Sequence, residues 1–387
     1  MTDSAETTLF IDPGSADFEQ DRLFDLDTSR LCGHDVLAPY LYLQEWMRER
    51  GVTVRTADAL DRGEALGEHN IYVSMGMRRR YPSLVGRDDV TLSAFLALEA
   101  PIVEPKLYLA LDDASRAFRR MLSFSTTDAL RPFLSARVAV EQFQIPQSFD
   151  AVHEEIWAAR GGRKMVTIIN ANKLPRIDTY ELYRERLRAI EFFERHGEID
   201  LYGTGWDGPP FRMGETWIPG TVRRAQRRLT AAWQRLRPPA LLPAAGRAWR
   251  GVADDKATTL GRYRFAICFE NMELEGYITE KLFDCLYSGT VPVYLGAPDI
   301  ERWVPGECFI DMRRFSGYED LREFMHSLGP AEVEAYREAG RAFIGSDRFR
   351  PFSRLAFAEL FGRIVEEDAG VCLEPRRRAL LSGSLPP

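Results

Sequence analysis

The chain has 387 residues, of which 45% are hydrophobic and 28% are charged. This length exceeds what one hydrophobic core usually supports, so the composition predicts a globular protein of two domains. The net charge of −7 argues against general binding to nucleic acid, because no surplus of Lys and Arg is left to neutralise phosphates.

Strand-like and helix-like segments alternate along the first 150 residues. Residues 40–51 have the spacing of an amphipathic helix and end at a glycine, whereas residues 52–57 and 70–77 are strand-like runs rich in β-branched and apolar residues. Residues 92–101 are apolar up to Glu99 and end at a proline. This alternation predicts an open α/β sheet rather than an all-helical or all-β domain.

A second unit is predicted to begin near the Gly-rich basic segment at residues 160–163. The buried-strand pattern KMVTIINAN follows it, and a helical segment at residues 180–197 leads into a strand and glycine loop at residues 199–206. We therefore predict an N-terminal domain, a C-terminal domain, and a final helix with a mobile tail. Their predicted bounds are 1–158, 159–345 and 346–387.

Signals for export and membrane anchoring are weak in this sequence. Residues 1–21 are acidic without a basic n-region or long apolar core, and no later apolar run reaches the length of a membrane span. The five widely spaced cysteines support neither a disulfide framework nor a zinc site, so a cytoplasmic location is predicted. Residues 222–237 form a candidate basic amphipathic helix. Its arginines either form a face exposed to solvent or contact an anionic membrane surface, and the sequence favours neither alternative.

The densest group of polar residues lies between two apolar runs, within residues 265–296. Thr279 is a suitable N-cap for a helix from Glu280 to about Tyr287, and the free N–H groups of a helix N-terminus suit a diphosphate. Lys281 would add a full positive charge there, whereas the Glu280 carboxylate suits a pair of ribose hydroxyls better. The alternative is that Glu280 only complements the helix dipole and Lys281 is solvated.

Three motifs of this stretch occur in the same order and spacing in a known family. They are Phe269-Glu270-Asn271, Tyr277-Ile278-Thr279-Glu280-Lys281, and Val291-Pro292-Val293 with Gly296. Upstream, Tyr202-Gly203 matches a strand-end glycine of the family, and LALEAPIVEP is similar to its Glu-X-Pro segment. On these residues the chain closely resembles the α1,3/1,4-fucosyltransferases, glycosyltransferase family 10, over residues 90–315.

The resemblance implies a GT-B architecture, in which two Rossmann-like α/β domains face each other across a cleft. The C-terminal domain would hold GDP-fucose and the N-terminal domain the acceptor. The implied reaction is an inverting transfer of L-fucose to a hydroxyl of a glycan, such as a bacterial surface polysaccharide or lipopolysaccharide. It would need no cofactor or metal, and divalent cations would at most stimulate it.

The resemblance also implies roles for individual residues. Glu99 matches the acid of the Glu-X-Pro segment and is the candidate base for the acceptor hydroxyl, with Glu104 as the rival acid. Arg247 and Lys281 are the implied diphosphate clamp, because such cations gain strength as negative charge builds on the leaving group. Arg250 is the alternative, because it lies close enough to Arg247 to be the matching arginine.

The remaining donor contacts come from the same motifs. Asn271 and Tyr277 would line the sugar and nucleotide pocket, although Asn271 can instead cap the loop after its strand. Glu270 would either contact the donor or neutralise Lys281. The full set of expected donor-binding residues is Gly203, Arg250, Glu270, Asn271, Tyr277, Thr279 and Glu280.

Two other functions remain open from the sequence alone. The donor can be another GDP- or NDP-hexose, because contacts to sugar hydroxyls depend on geometry that a motif does not specify. A catalytically silent glycan- or nucleotide-binding relative is the second alternative. The joint presence of Glu99, Arg247, Glu280 and Lys281 argues against it, since a silent relative has no reason to keep both base and clamp.

Overall fold

Two parallel β-sheets, one in each half of the chain, organise the structure. The computed structural model describes residues 6–25, 37–64, 66–158, 162–175, 179–213 and 242–375. Within these ranges the first sheet has six strands in the order β2-β1-β3-β4-β5-β6, and all neighbours pair in parallel. The strands are β1 Thr7–Asp12, β2 Val52–Thr56, β3 His69–Ser74, β4 Thr91–Ala97, β5 Arg120–Ser123 and β6 Ala139–Gln142.

Helices cover both faces of the first sheet. They are α1 Ala38–Arg48, α2 Asp58–Asp61, α3 Pro105–Leu109, α4 Leu111–Ala117 and α5 Thr127–Leu130. Successive residues of β1 point to opposite faces, so that Leu9 and Ile11 join one apolar cluster and Phe10 joins the other. Because both faces are buried, the strands are apolar runs rather than alternating ones, as parallel sheets require.

The second half contains a five-stranded parallel sheet in the order β13-β12-β11-β7-β9 and a separate short pair of strands, β8 and β10. The strands are β7 Lys164–Ile169, β8 Lys173–Pro175, β9 Ile199–Tyr202, β10 Phe211–Met213, β11 Tyr263–Ile267, β12 Val291–Tyr294 and β13 Ile310–Asp311. The helices are α6 Glu154–Ala158, α7 Tyr183–Arg195, α8 Leu242–Ala248, α9 Lys256–Leu260, α10 Glu280–Tyr287, α11 Ile300–Trp303, α12 Tyr318–Ser327, α13 Pro330–Ile344 and α14 Arg354–Ala369. The predicted α/β fold with parallel sheets is confirmed.

The helix α10 has the bounds that the sequence predicts. Its residues Leu282, Phe283 and Leu286 are buried, which is the apolar face that fixes its position against the sheet. Thr279 occupies the N-cap position, but its side chain accepts no hydrogen bond from a backbone N–H of the helix; it accepts one from the Lys281 ammonium group at 2.9 Å. The expectation of a capping hydroxyl is therefore corrected, and the Thr279 hydroxyl serves a different partner, described below.

The last helix, α14, crosses back from the second half to the first. Phe357, Phe361 and Ile364 belong to the same apolar cluster as Leu9 and Leu43 of the first sheet and α1. The predicted final helix is thus part of the covering of the N-terminal sheet. The predicted mobile tail lies from residue 376 outside the described residues, and the predicted domain bounds stay predictions.

A buried carboxylate fixes the C-terminal end of α14 to the first sheet. The Asp368 side chain is 2% exposed, and its two oxygens accept from Arg119 Nη1 at 2.8 Å and from Arg120 Nη1 at 2.8 Å. Ser93 also donates to it. Burial alone would raise the pKa of Asp368, but the bonds from Arg120, Ser93 and Arg119 outweigh burial and hold it below its usual range.

Replacing Asp368 by Asn is therefore expected to lower the free energy of unfolding by about 2 kcal/mol at neutral pH, since hydrogen bonds to charged groups are lost. A lowered folded-state pKa stabilises the protein above the unfolded-state pKa of about 4 and loses that effect as the pH falls through the folded value. The difference between the two proteins, measured by urea unfolding, should shrink below about pH 4. Glu367→Gln is the matched control, because the Glu367 side chain is 49% exposed and should matter little.

Candidate active site

A cleft of about 530 Å³ lies between the two halves, at the carboxyl ends of their strands. Ligands of open α/β sheets bind at such edges, because the loops and helix N-termini converge there. The first half contributes Glu99, which follows β4, and the second half contributes most of the polar wall. The polar residues and glycine that line the cleft are Glu99, Asn170, Lys173, Tyr183, Arg186, Gly203, Thr204, Lys256, Asn271, Glu280 and Lys281.

Gly203, which follows β9, lines the cleft. Its φ of +137° suits glycine, and a Cβ atom there would lie 2.0 Å from the carbonyl oxygen of Asn170. Any side chain would therefore push apart the ends of β7 and β9. Gly203 shapes this wall of the cleft, as the strand-end glycine in the sequence predicts.

Glu99 is held by one of its two carboxylate oxygens. Its Oε1 accepts from the backbone N–H of Ala100 at 2.9 Å and from the Tyr277 hydroxyl at 2.6 Å. The other oxygen, Oε2, has no hydrogen bond to any residue in the described ranges. A carboxylate fixed through Oε1 with Oε2 unoccupied can take a proton from a hydroxyl placed in the cleft.

A chain of hydrogen bonds joins Glu99 to the second half of the protein. Tyr277, which donates to Glu99, accepts from Asn271 Nδ2 at 3.0 Å, and Asn271 Oδ1 accepts from Arg186 Nη2 at 3.0 Å. Burial, followed by the neighbouring Glu99 carboxylate, raises the pKa of Tyr277, so its hydroxyl stays protonated and donates. This network of hydrogen bonds brings Glu99, Tyr277 and Asn271 together and adds Arg186. Asn271 lines the cleft, whereas Tyr277 is 1% exposed and is not among the lining residues, so the prediction that Tyr277 lines the pocket is corrected.

Glu270 lies behind the cleft wall rather than on it. The residue is fully buried and accepts from the Thr279 backbone N–H at 2.8 Å and from the Thr279 hydroxyl at 2.8 Å. Lys281 Nζ lies 3.3 Å from Glu270 Oε2. Burial raises the pKa of Glu270. Its predicted contact with the donor is corrected, because its oxygens are occupied in fixing the start of α10 and in neutralising Lys281, the alternative that the sequence left open.

Lys281 and Glu280 both line the cleft, and the charge of each shifts the pKa of the other. Burial lowers the pKa of Lys281, but Glu280 and Glu270 outweigh burial and raise it, so the ammonium group remains charged. For Glu280, burial acts to raise the pKa, and the charges of Lys281 and Lys256 overcome this and lower it to about 2. Glu280 is therefore an ionised acceptor at neutral pH, as contact with ribose hydroxyls would require.

Arg186 is a buried cation on the cleft wall that the sequence did not single out. It is 3% exposed and donates to the carbonyl oxygen of Phe269 at 2.7 Å, yet among the described residues no carboxylate pairs with it. Arginine is seldom buried without a counter-ion, so the position favours an anionic ligand. Its place on the amphipathic helix α7 gave no signal, because several exposed arginines of that helix look the same in the sequence.

Lys256 is the second cation that sequence reasoning missed as a site residue. It lies at the start of α9, pairs with Asp284 and lines the cleft. Burial acts to lower the pKa of Lys256, but the Asp284 carboxylate outweighs this and raises it. A single lysine shortly before a strand does not by itself indicate a site, so no signal for it is present in the sequence.

Arg247 and Arg250 lie away from the cleft, contrary to the prediction for the diphosphate clamp. The Arg247 side chain is 61% exposed and pairs with Glu194 of α7, and Arg250 Nε donates to Asp200 of β9 at 2.6 Å. Both guanidinium groups are occupied by structural carboxylates. The structure therefore corrects the assignment, and Arg186 takes the position on the wall that was given to them.

The predictions on metal binding and on membrane contact are not tested by the structure. In the described part of the chain, no three side chains of His, Cys, Asp or Glu come together as metal ligands, so the expectation of a metal-free reaction stays a prediction. The described helices are too short or too polar to span a bilayer. The basic segment at residues 222–237 lies outside the described residues, and its proposed membrane contact stays a prediction.

The sequence of the second half matches a known family. Residues 174–339 match the model of the C-terminal region of glycosyltransferase family 10 (fucosyltransferase). Over these residues the chain is similar to glycosyltransferase family 10. The matched region contains Gly203, Asn271, Glu280 and Lys281 of the cleft wall and the buried Tyr277, whereas Glu99 precedes it.

Individual relatives of the matched region agree with the family model. One stretch of 86 residues is 36% identical to an alpha-(1,4)-fucosyltransferase of Arabidopsis thaliana, covering 21% of each protein. Another of 70 residues is 47% identical to GDP-fucose protein O-fucosyltransferase 3 of Xenopus laevis, covering 18% of the chain and 15% of the relative. A longer match, 32% over 169 residues, covers 42% of the chain and 42% of the mouse alpha-(1,3)-fucosyltransferase 7. The chain thus spans 21% and 15% of the length of the first two relatives.

Solved structures extend the fold comparison beyond the matched region. Sucrose-phosphate synthase from Thermosynechococcus elongatus superposes with a TM-score of 0.51 at 10% sequence identity, covering 80% of this chain and 76% of that one. A crystal structure of an alpha1,3-fucosyltransferase gives a TM-score of 0.48 at 11% identity, covering 95% and 92%. The synthase match shows the fold, and the predicted GT-B architecture is confirmed.

Proposed function

We propose that this protein transfers L-fucose from GDP-fucose to a hydroxyl group of a glycan acceptor. One observation carries the proposal. Glu99 of one half, whose Oε2 has no hydrogen bond within the described ranges, lines the same cleft as the Arg186 and Lys281 cations of the other half. Such an arrangement supplies a base for an alcohol and positive charge for a departing diphosphate, the two requirements of glycosyl transfer from a nucleotide sugar.

The cationic wall supports a diphosphate ligand. Lys173, Arg186, Lys256 and Lys281 line the cleft together with the N-terminus of α10, and Arg186 lacks a carboxylate partner within the described residues. Backbone N–H groups at a helix start and a guanidinium are common phosphate ligands in proteins. The ionised Glu280 next to these cations suits the ribose hydroxyls of the same nucleotide.

The proposed reaction balances without a further reactant. Glu99 Oε2 takes the proton of the acceptor hydroxyl as that oxygen forms a bond to the anomeric carbon of fucose. The bond from this carbon to the diphosphate breaks, and GDP leaves with the electron pair while Lys281 and Arg186 stabilise its growing charge. A single displacement of this kind inverts the anomeric configuration.

The donor is supported more strongly than the acceptor. All three relatives described above are named as fucosyltransferases, but the acceptors or linkages in their names differ, and one is named for transfer to protein. We propose an α1,3- or α1,4-linkage to a glycan of a bacterial surface polysaccharide or lipopolysaccharide, formed at the cytoplasmic side. A protein hydroxyl is the second candidate acceptor, because 70 residues are 47% identical to a protein O-fucosyltransferase.

The decisive experiment is a donor screen read by mass spectrometry. The protein is incubated with GDP-fucose, GDP-mannose or UDP-galactose, together with disaccharide acceptors or a folded protein acceptor. We expect addition of one deoxyhexose, with GDP-fucose only, and an inverted anomeric centre by NMR. Addition of a hexose from another donor would show that this hexose, and not fucose, is the sugar transferred. The absence of both transfer and donor hydrolysis with every donor would indicate a silent binding protein.

Arg186 and Arg247 are expected to differ in their effect on the affinity for GDP, because only Arg186 lines the cleft. Arg247→Met is expected to leave the affinity for GDP unchanged, because Arg247 is paired with Glu194 on an exposed surface. Arg186→Met should weaken GDP binding by roughly 10- to 100-fold, the worth of one charge-assisted hydrogen bond. Isothermal titration calorimetry measures both. The reverse result would return the diphosphate to Arg247 and remove Arg186 from the site.

A further inference from the structure

Tyr277 is a buried residue that the proposed reaction does not use. It belongs to the loop that precedes α10 in the second half, yet its ring packs against Phe124 of the first half, with 5.0 Å between the ring centroids. Gly276, the residue before it, has a φ of +73°, and a Cβ atom there would lie 2.3 Å from the Phe124 carbonyl oxygen. Only glycine allows this close approach, so the loop and the Tyr277 ring are held against the first half.

The Glu99 carboxylate depends on Tyr277 for its orientation. Its Oε1 accepts from the Tyr277 hydroxyl at 2.6 Å and from the backbone N–H of Ala100 at 2.9 Å. The Glu99 backbone is fixed separately, because its carbonyl oxygen accepts from the Tyr108 hydroxyl at 3.0 Å. The last torsion angle of a glutamate side chain has only a broad preference, so bonds to the carboxylate decide where Oε2 points. In the described part of the chain, Tyr277 is the only side chain that donates to this carboxylate.

The direction of the hydrogen bonds between the donor wall and Glu99 follows from the chemistry of the groups. A guanidinium group has only donors, so Asn271 turns Oδ1 to Arg186 and its NH2 group to Tyr277. The Tyr277 hydroxyl accepts from Asn271 and keeps one proton to donate, which goes to Glu99 Oε1. Arg186 is itself fixed by its bond to the carbonyl oxygen of Phe269 at 2.7 Å. The network therefore holds the Tyr277 hydroxyl as a donor to Glu99.

We infer that Tyr277 is a positioning residue of the transfer reaction, which orients the Glu99 carboxylate so that Oε2 is the atom presented to the acceptor hydroxyl. The inference rests on the proposed function, because Glu99 is a base only in that reaction. Tyr277 contacts neither donor nor acceptor, since it is buried and does not line the cleft. Loss of its hydroxyl should therefore slow the transfer without weakening the binding of the nucleotide.

The test begins with Tyr277→Phe, which keeps the ring and its packing. The affinity for GDP, measured by calorimetry, should equal that of the native chain. The value of kcat for fucose transfer should fall roughly tenfold, the worth of one hydrogen bond to a charged group. The ionised carboxylate also loses a donor, so it takes up a proton more readily, and the acidic limb of the pH–rate profile should move to higher pH by about one unit.

Tyr108→Phe is the matched control, because it removes a hydroxyl that bonds to the backbone of Glu99 rather than to its carboxylate. It should lower the melting temperature to a similar extent and leave the acidic limb in place. The other titratable groups that interact with the Glu99 carboxylate are the same in both variants. They are Tyr183, Glu104 and Lys281. An equal shift of the limb in the control would indicate a general loss of packing and overturn the inference.

A double variant tests whether Tyr277 acts through Glu99. Glu99→Gln combined with Tyr277→Phe should transfer fucose at the rate of Glu99→Gln alone, because no base is left to be positioned. A further tenfold loss in the double variant, or weaker GDP binding in Tyr277→Phe, would indicate direct contact with a substrate and overturn the inference.

Two further outcomes separate this inference from the proposed function. A native rate and pH profile in Tyr277→Phe would overturn the inference and leave the proposed function standing. Absence of fucose transfer by the native chain would overturn the proposed function, and the inference would fall with it.

Discussion

Replacing Glu99 by Gln is expected to lower the rate of fucose transfer by roughly 10²- to 10⁴-fold, the usual contribution of a general base. The amide has the shape of the carboxylate, and its oxygen can still accept from Tyr277 and from the Ala100 N–H. The fold and the GDP affinity should therefore remain unchanged. The rate falls because the amide nitrogen takes the position of Oε2, and this nitrogen cannot take a proton from the acceptor hydroxyl.

The rival acid supplies the control for this experiment. Glu104 lies directly before α3 and does not line the cleft, although burial raises its pKa. Glu104→Gln should transfer fucose at the native rate. If instead Glu99→Gln were fully active, or Glu104→Gln lost activity while keeping its fold, the base assigned here would be wrong.

Local patterns carried most of what the sequence predicted correctly. The apolar spacing of Leu282, Phe283 and Leu286 defines α10, and the Ser288-Gly289 stop ends it, so its bounds follow from neighbouring residues alone. Glu99 was found by its place after an apolar strand together with the family resemblance. Both signals lie within about ten residues of the feature that they predict.

Long-range pairing explains what the sequence missed. Arg186 reaches the carbonyl of Phe269, 83 positions away, and Arg247 pairs with Glu194, 53 positions away. No spacing rule connects such pairs, so the sequence did not distinguish a cation of the cleft from a surface ion pair. The packing of α14 on the first sheet was missed for the same reason, since an amphipathic helix does not indicate which sheet it will cover.

Thr279 illustrates a different limit. Its position before α10 was predicted from its type as a helix-capping residue, and the structure has it at the N-cap. Its hydroxyl nevertheless donates to the buried Glu270, because that carboxylate needs hydrogen bonds more than the helix end does. A local preference was thus overridden by the demand of a buried charge.

The second large effect is expected for Lys281→Met. Its ammonium group is the charge at the start of α10, so the variant should bind GDP roughly 10- to 100-fold more weakly. Transfer should fall further, by about 10²- to 10³-fold at saturating donor, because the lost charge acts most strongly on the leaving diphosphate. Calorimetry with GDP and the rate of deoxyhexose transfer measure the two losses separately.

This variant also removes the counter-ion of Glu270, which is fully buried and 3.3 Å from Lys281 Nζ. Breaking a buried pair on one side costs about 3–5 kcal/mol, so reduced stability alone could lower the activity. Burial already raises the pKa of Glu270, and removing Lys281 raises it further. The variant should therefore regain stability as the pH is lowered and Glu270 takes up a proton.

The double variant Glu270→Gln with Lys281→Met separates the structural role from the chemical one. A neutral amide needs no counter-ion, its oxygen can still accept from the Thr279 N–H, and its NH2 group can donate to the Thr279 hydroxyl oxygen, so the double variant should unfold close to the native chain at neutral pH. It should remain as inactive as Lys281→Met, since the charge on the diphosphate is still missing. Native-like transfer in a stable double variant would show that Lys281 serves only to neutralise Glu270.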